Sequence, residues 1–291
     1  MNAPSHIRPS SIGEILDLTL RLFRRGFGPL FYTMLVFELP IYALGKIYER
    51  VQSGALTPLA SPEALAALPA DALMDRLGTV LLVLPLFVAS VQLLMGLATV
   101  ALAYGGHRLY LGERVRPREM LSRVLGRFLP VAATYLWVLL LLALAYVGGA
   151  VPGAVLVALG LESNNLLLLV LGGLTMVLGS IGLLLTVYLR WFLVLPVMAV
   201  EEVFGLSAIR RSRQLMSGRV AGGLLGSVKM RAAVLLAVLF VIMLVPSALV
   251  GVPQIALASA FSSTPGVLDP TQIPLLYRLP FEVAQVLLSA A

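Results

Sequence analysis

Long apolar segments alternate with short polar segments along almost the whole chain. Five apolar segments are on the order of 20 residues long, the length of a helix that crosses a bilayer, and a sixth near the end of the chain is less apolar. The predicted spans are Phe27–Leu44, Val80–Tyr104, Leu129–Val151, Leu166–Leu189, Ala232–Val252 and Pro274–Ala291. The pattern therefore predicts an all-α fold, a polytopic membrane helical bundle of about six transmembrane helices that forms a single domain over residues 1–291.

The positive charges are sorted between the segments that connect these spans. The chain has 21 Lys and Arg residues, and nearly all lie before the first span, between the second and third, or between the fourth and fifth. The exceptions are Lys46, Arg50, Arg76 and Arg278. Because Lys and Arg near span ends are retained on the cytoplasmic side, we expect a cytoplasmic amino terminus and a place in the cytoplasmic (inner) membrane of a bacterium.

The composition excludes an ordinary soluble protein. Charged residues make up 12% of the chain and hydrophobic residues 59%, whereas about a quarter of the residues in soluble domains are charged. The net charge of +7 comes from residues that flank spans, so anionic lipid head groups are the expected partner and nucleic acid is not. Cysteine is absent, which excludes disulfides and thiolate metal sites.

Three basic segments each contain a predicted amphipathic helix, namely Ser11–Arg25, Pro117–Phe128 and Gly205–Gly218. Apolar side chains recur there at helical spacing, with arginines on the other face. We expect the apolar faces to enter the acyl boundary and the arginines to reach lipid phosphates; the alternative is solvated loops with some helix. The arginines predicted to bind head groups are Arg21, Arg24, Arg25, Arg118, Arg123, Arg127, Arg210, Arg211 and Arg213.

Each amphipathic segment is followed by two predicted spans. The chain thus divides into three similar units, residues 11–105, 117–200 and 205–291. Internal repetition is one explanation of this similarity. The other is that three unrelated loops obey the same membrane rules.

Two local signals mark helix starts: Ser11 and Glu14 have the spacing of a capping box, and Pro117 suits a first helical turn.

Little in the sequence points to catalysis. His6 and His107 are isolated, and no spacing typical of a metal site, a phosphate-binding loop or a nucleophile elbow occurs. Glu201 and Glu202 are adjacent, so on a helix they point about 100° apart and make a poor acid–base pair. We expect these two carboxylates to be solvated at the interface. The sequence therefore predicts no catalytic residue, no metal and no cofactor.

Small residues four positions apart can let two helices approach closely. Gly149 with Gly153, and Gly222 with Gly226, have this spacing. Because the chain contains 26 glycines, such pairs also arise readily by chance, and the spacing alone assigns no contact.

Three charged residues, Glu38, Arg190 and Glu282, fall inside apolar runs, near mid-bilayer at a rise of about 1.5 Å per residue. For Arg190, the depth is counted from the cytoplasmic end of the fourth apolar run at Val200. A lone charge there costs at least about 2.5–3.5 kcal/mol, so pairing or a hydrated cavity is expected. Glu38 and Arg190 are the natural pair, with Glu282 competing for the same arginine. This intramembrane charged pocket is either a path for an ion, a proton or a head group, or a structural pair; in a third interpretation Arg190 only marks the membrane edge beside Trp191.

Three longer stretches carry a family resemblance: RPSSIGEILDLTLRLFRRGFGPLF, GHRLYLGERVRPREMLSRVLGRFLP and RWFLVLPVMAVEEVFGLSAIRRSRQLMSGRV. Together they resemble uncharacterised bacterial integral membrane proteins related to the membrane domain of certain glycerophosphodiester phosphodiesterases. The resemblance implies a six-helix membrane module. In that family the phosphodiesterase chemistry belongs to a separate barrel domain, and no such barrel is present in this chain, so the resemblance implies no hydrolase activity here.

Two functions from different classes follow from these patterns. The first is a non-catalytic scaffold or accessory subunit that binds membrane lipids and a membrane protein partner through its arginine-rich helices. The alternative is a small transporter or lipid-translocating protein that uses the charged pocket. A continuous polar cavity lined by those charges would favour transport, whereas a dry, packed pair would favour the scaffold.

Overall fold

The structure, a computed structural model, describes residues 11–56, 69–219, 226–261 and 275–290. These ranges contain nine α-helices and no β-strand beyond an isolated bridge between Arg219 and Ser227. The helices are α1 (Ile12–Leu56), α2 (Ala70–Tyr110), α3 (Pro117–Leu125), α4 (Phe128–Glu162), α5 (Leu166–Trp191), α6 (Val194–Val200), α7 (Leu206–Met216), α8 (Val228–Phe261) and α9 (Leu275–Ala290). The predicted all-α helical bundle is confirmed.

Within the described residues, five helical stretches are long and apolar enough to cross a membrane. They are Ile12–Gln52, Leu82–Tyr110, Phe128–Glu162, Leu166–Val200 and Val228–Val245, and each of the first five predicted spans falls on one of them. The sixth prediction falls partly on α9, whose 16 residues are about 24 Å long. That is shorter than a hydrocarbon core of about 30 Å, so the sixth span remains a prediction.

The first predicted amphipathic helix is not a separate element, because α1 runs unbroken from Ile12 through Pro29 and Pro40. Its start is the predicted capping box: the Ser11 N–H donates to Glu14 Oε2 at 2.8 Å, and the Glu14 N–H donates to Ser11 Oγ at 3.2 Å. Gly26 does not end the helix; a Cβ there would collide with the Leu109 side chain, so the glycine lets α2 pack against α1.

The second and third amphipathic helices exist as α3 and α7, and Pro117 opens α3 as predicted. Their apolar stripes face two ways. Met120 and Val124 of α3, and Ile209 and Met216 of α7, are buried inside the protein, whereas Leu125 and Leu206 are exposed. The buried members pack on the bundle instead of entering the acyl boundary, and insertion of the exposed members stays a prediction.

The buried core lies towards one end of the bundle. It is formed by Phe37 of α1, by the second half of α2, by α3, by the start of α4 and by α6 and α7. We call this the basic end, because most of the predicted head-group arginines lie there. Farther along α4, α5 and α8, large apolar side chains such as Leu144, Val170 and Phe240 are exposed. Exposed apolar surface on long helices is the pattern expected where lipid is the solvent.

Helices α4 and α5 form a tightly packed hairpin. The turn between them is capped by Asn165, whose side-chain oxygen accepts from the Leu167 and Leu168 N–H groups. Gly149 and Gly153 of α4 lie directly against the backbone of α5, near Gly179 and Met176. A Cβ on either glycine would lie less than 3.0 Å from those backbone atoms. The predicted close approach at this pair is thus present, whereas Gly222 lies outside the described residues.

Candidate functional site

Two adjacent acids after α6 hold the short helices of the basic end in place. The Glu202 carboxylate forms ion pairs with Arg123 of α3 and with Arg127, which precedes α4. The Glu201 carboxylate forms an ion pair with Arg211 of α7, whose Nε donates a hydrogen bond to Glu201 Oε2 at 2.8 Å. The two carboxylates point in different directions, as side chains of adjacent residues do. They were predicted to be solvated, and the structure corrects this, because both form ion pairs. Sequence reasoning missed this role, although the four-residue spacing of Arg123 and Arg127 places both on one face.

The turn that carries the two acids has an unusual backbone. Glu202 has φ 57° and Gly205 has φ 67°, both in the left-handed region. Gly205 combines that φ with ψ −146°, a conformation open essentially to glycine. The Gly205 N–H donates to Oγ1 of the buried Thr134 at 2.7 Å, which ties the start of α7 to α4. The turn therefore has a fixed geometry, set by one hydrogen bond and the ion pairs of Glu202.

Aromatic rings support the same arginines. The Arg123 guanidinium lies 5.3 Å from the Tyr104 ring centre, and Arg127 lies 6.0 Å from that of Phe204. Each contact adds a cation–π attraction on the order of 0.5–1 kcal/mol at a partly exposed site. For Arg211, the side-chain hydrogen bond with Glu201 raises the pKa of the guanidinium above its usual value. Arg123, Arg127 and Arg211 are thus engaged within the protein.

The remaining predicted head-group arginines divide into two sets. Arg21 forms an exposed ion pair with Asp17 at 2.6 Å, and the Arg25 guanidinium donates to the Gly112 carbonyl oxygen at 3.4 Å. A second set is exposed and has no ion pair within the ranges that the structure covers. We call this set the outer arginines: Arg24, Arg118, Arg210 and Arg213.

Of the three charged residues of the predicted pocket, Arg190 is not paired with either acid in the described part of the chain. Glu38 of α1 is buried, with 6% of its surface exposed. The Glu282 carboxylate of α9 accepts a hydrogen bond from the Tyr42 hydroxyl and an ion pair from Lys46 Nζ at 2.7 Å. Arg190 is exposed, and among the described residues no ion pair joins it with either carboxylate.

Helix packing explains this arrangement. Helix α5, which carries Arg190, packs mainly on α4, whereas α1 packs on α2 and α9. Glu282 therefore meets a cation of α1, Lys46, which the sequence assigns to an external connection. The Arg190 backbone carbonyl instead accepts a hydrogen bond from the buried Ser212 of α7 at 3.2 Å. The predicted ion pair of Glu38 with Arg190 is therefore not formed among the described residues. The ion pair that Glu282 forms is with Lys46.

A partly open cavity of about 310 Å³ lies between α2, α4, α5 and α6. Its lining is apolar except for a few uncharged polar groups, and none of Glu38, Arg190 and Glu282 contributes to it. The polar and aromatic side chains that line it are Gln92, Thr99, Tyr135, Tyr188, Trp191 and Phe192.

In the part of the chain that the structure describes, no three His, Asp or Glu side chains come together in a way that could hold a metal ion. His107 lies partly buried on α2, and His6 is outside the described residues.

Comparison with known proteins gave no match: no protein family, no curated protein and no solved structure is similar to this chain. The class of the protein therefore rests on the fold alone. It is an α-helical bundle with five candidate membrane spans in its described part. The resemblance to membrane modules of phosphodiesterases stays a prediction.

Proposed function

We propose that this chain is a non-catalytic, multi-pass protein of the bacterial cytoplasmic membrane that acts as a lipid-binding scaffold or accessory subunit. One observation carries the proposal. The arginines of the basic end fall into a group paired with Glu201 and Glu202, and the outer arginines, which point to solvent. The first group fixes the short helices, so the second is presented on a rigid support to anionic head groups or an acidic partner protein.

The energetics agree with a lipid partner. A Lys or Arg near an anionic membrane surface contributes about 1 kcal/mol, and the attraction decays within a Debye length of about 8 Å at physiological salt. Helices α3 and α7 pack directly on the ends of the long apolar helices, so their exposed arginines lie close to those ends. Several such charges together give a clear preference for anionic over zwitterionic lipid.

The charge hypothesis predicts a loss of lipid preference. Replacing Arg118, Arg210 and Arg213 together by Gln is expected to weaken the preference for phosphatidylglycerol over phosphatidylcholine by up to about 1 kcal/mol per charge. Spin-labelled lipids in nanodiscs measure that preference directly. A matched variant with Lys at the same three positions keeps the charge and is expected to keep the preference. Equal lipid preference in the Gln and Lys variants would contradict the proposal.

Orientation can be tested with single cysteines because the natural chain has none. Ser163 in the turn between α4 and α5, and Arg118 on α3, are both exposed. We expect Ser163→Cys to react with an impermeant maleimide in intact cells and Arg118→Cys to react only after permeabilisation. The reverse pattern would invert the proposed topology. Ser61, a second position that the sequence places on the external side, lies outside the described residues.

The alternative function, transport or lipid translocation, has one supporting observation, the buried Glu38 carboxylate inside a candidate span. A buried ionisable residue in a span is a functional hypothesis by default. The cavity between α2 and α5 does not reach it, since no charged residue lines that cavity. Loss of substrate flux with Glu38→Gln in proteoliposomes, at unchanged stability, would favour transport over the scaffold.

A further inference from the structure

The cavity between α2, α4, α5 and α6 has a position that restricts what can enter it. All its lining residues belong to three candidate spans, Leu82–Tyr110, Phe128–Glu162 and Leu166–Val200. The cavity therefore opens beside apolar helices, where lipid is the neighbouring solvent. Because its lining holds no charge, a charged ligand would lose its hydration without gaining a counter-ion. The occupant has to be uncharged and has to come from the lipid phase.

The lining contains side chains that can donate hydrogen bonds to a ligand. The Tyr135 hydroxyl donates to Gln92 Oε1 at 3.4 Å, a long hydrogen bond. The Tyr188 hydroxyl and the Trp191 indole N–H have no acceptor within the described ranges. Tyr188 is exposed on a candidate span. Where hydrocarbon surrounds such a span, a donor without an acceptor carries a free-energy penalty that an incoming acceptor removes. A carbonyl oxygen is the acceptor that an uncharged lipid offers.

Size and shape restrict the ligand further. A volume of about 310 Å³ is at the lower limit of small-molecule pockets, which suits a ring-sized head group and not a whole lipid. The rings of Tyr135, Tyr188, Trp191 and Phe192 all belong to the lining. Flat aromatic side chains of this kind pack against a flat ligand in offset or edge-to-face geometry.

We propose that this cavity binds the head group of an uncharged amphiphile that carries carbonyl acceptors, and that the tail of this amphiphile lies in the bilayer. Tyr188 and Trp191 donate hydrogen bonds to the head group, and the apolar lining covers its faces. Two lipid sources supply this chemistry: a quinone ring, or the ester carbonyls of a neutral glycerolipid. The site is independent of the outer arginines, so it goes beyond the proposed scaffold and neither result decides the other.

Tryptophan fluorescence provides the readout, because the chain has only two tryptophans and one of them lines the cavity. In Trp137→Phe, Trp191 becomes the sole tryptophan. Titrating this protein in nanodiscs with decylubiquinone, an uncharged quinone, is expected to give saturable quenching. The Trp191→Phe variant reports collisional quenching at Trp137 and is expected to respond linearly.

Competitors identify the head-group chemistry. Decylbenzene, which has a ring but no carbonyl, is expected not to displace the quinone. Displacement by didecanoylglycerol would support carbonyl recognition in general, and its failure to displace would narrow the site to quinone-type rings. Equal displacement by decylbenzene, or linear quenching of Trp191, would overturn the proposal and leave Tyr188 and Trp191 as interface anchors only.

Two conservative variants test the donors. In the Trp137→Phe background, Tyr188→Phe is expected to weaken quinone binding by about three- to tenfold, the loss of one hydrogen bond. Tyr146→Phe is the matched control, since Tyr146 lies on α4, is exposed and does not line the cavity. Equal affinities in the two variants, each shown to be folded by gel filtration, would also overturn the proposal.

Discussion

Replacing Gly153 by alanine is expected to lower the free energy of unfolding by about 2 kcal/mol, within the range for overpacking a tight interior. The added Cβ would lie less than 3.0 Å from the backbone nitrogen and Cα of Met176, so α4 and α5 would have to separate. Membrane helices associate largely through such close backbone contact, because lipid offers no hydrophobic drive between them. Unfolding of the purified protein by SDS in mixed micelles measures the loss.

Gly182 provides a matched control on α5. It is exposed, and a Cβ there meets nothing within 4 Å. Gly182→Ala is expected to be neutral or to stabilise the helix by up to about 1 kcal/mol, because alanine is the better helix former. The same substitution is thus expected to destabilise the protein at Gly153 and not at Gly182. Equal destabilisation by both variants would mean that Gly153 does not lie against α5.

Removing Lys46 is expected to cost about 1–3 kcal/mol of stability. Breaking a fully buried ion pair costs about 3–5 kcal/mol, and this pair is only largely buried, with side-chain exposures of 29% for Lys46 and 15% for Glu282. Lys46→Met takes the cation away from a carboxylate that also accepts from Tyr42. The double variant with Glu282→Gln is expected to recover part of the loss, which a double-mutant cycle in detergent measures as a coupling energy of at least about 0.5 kcal/mol.

Glu49 serves as the control for this cycle, because Lys46 also forms an ion pair with Glu49 at 3.0 Å. The Glu49 side chain is 54% exposed, so its pair is screened by water and is expected to contribute less than about 1 kcal/mol. A larger loss for Glu49→Gln than for Glu282→Gln would contradict the arrangement described for α1 and α9.

The spans were predictable because they depend on local properties. A run of apolar residues of bilayer length is visible directly in the sequence. Helix starts are marked by local signals, Ser11 with Glu14 for α1 and Pro117 for α3. The end of the first amphipathic helix was not predictable in this way. The segment was predicted to end at Arg25, yet α1 continues past it, and Gly26 accommodates the Leu109 side chain of α2.

The contacts of the candidate site depend on packing, which no local pattern contains. The position of a residue across the bilayer could be counted along a predicted span, and this count placed Glu38, Arg190 and Glu282 near mid-bilayer. This count does not say which helices are neighbours. In the structure α9 packs on α1, so Glu282 of α9 pairs with Lys46 of α1. Likewise, the spacing of Gly149 and Gly153 gave no reason to prefer them over other glycines until the position of α5 was known.

The order in which the helices can assemble follows from the hairpin and from α9. Helices α4 and α5 are consecutive, and their glycine contacts need no residue outside Phe128–Trp191, so this pair can pack while the rest of the chain is still being synthesised. Lys46 and Glu282 are separated by 236 positions, so their ion pair cannot form until every helix between them has left the ribosome. Docking of α9 on α1 is accordingly a late step of biogenesis, and loss of Lys46 would impair that step while leaving the hairpin intact.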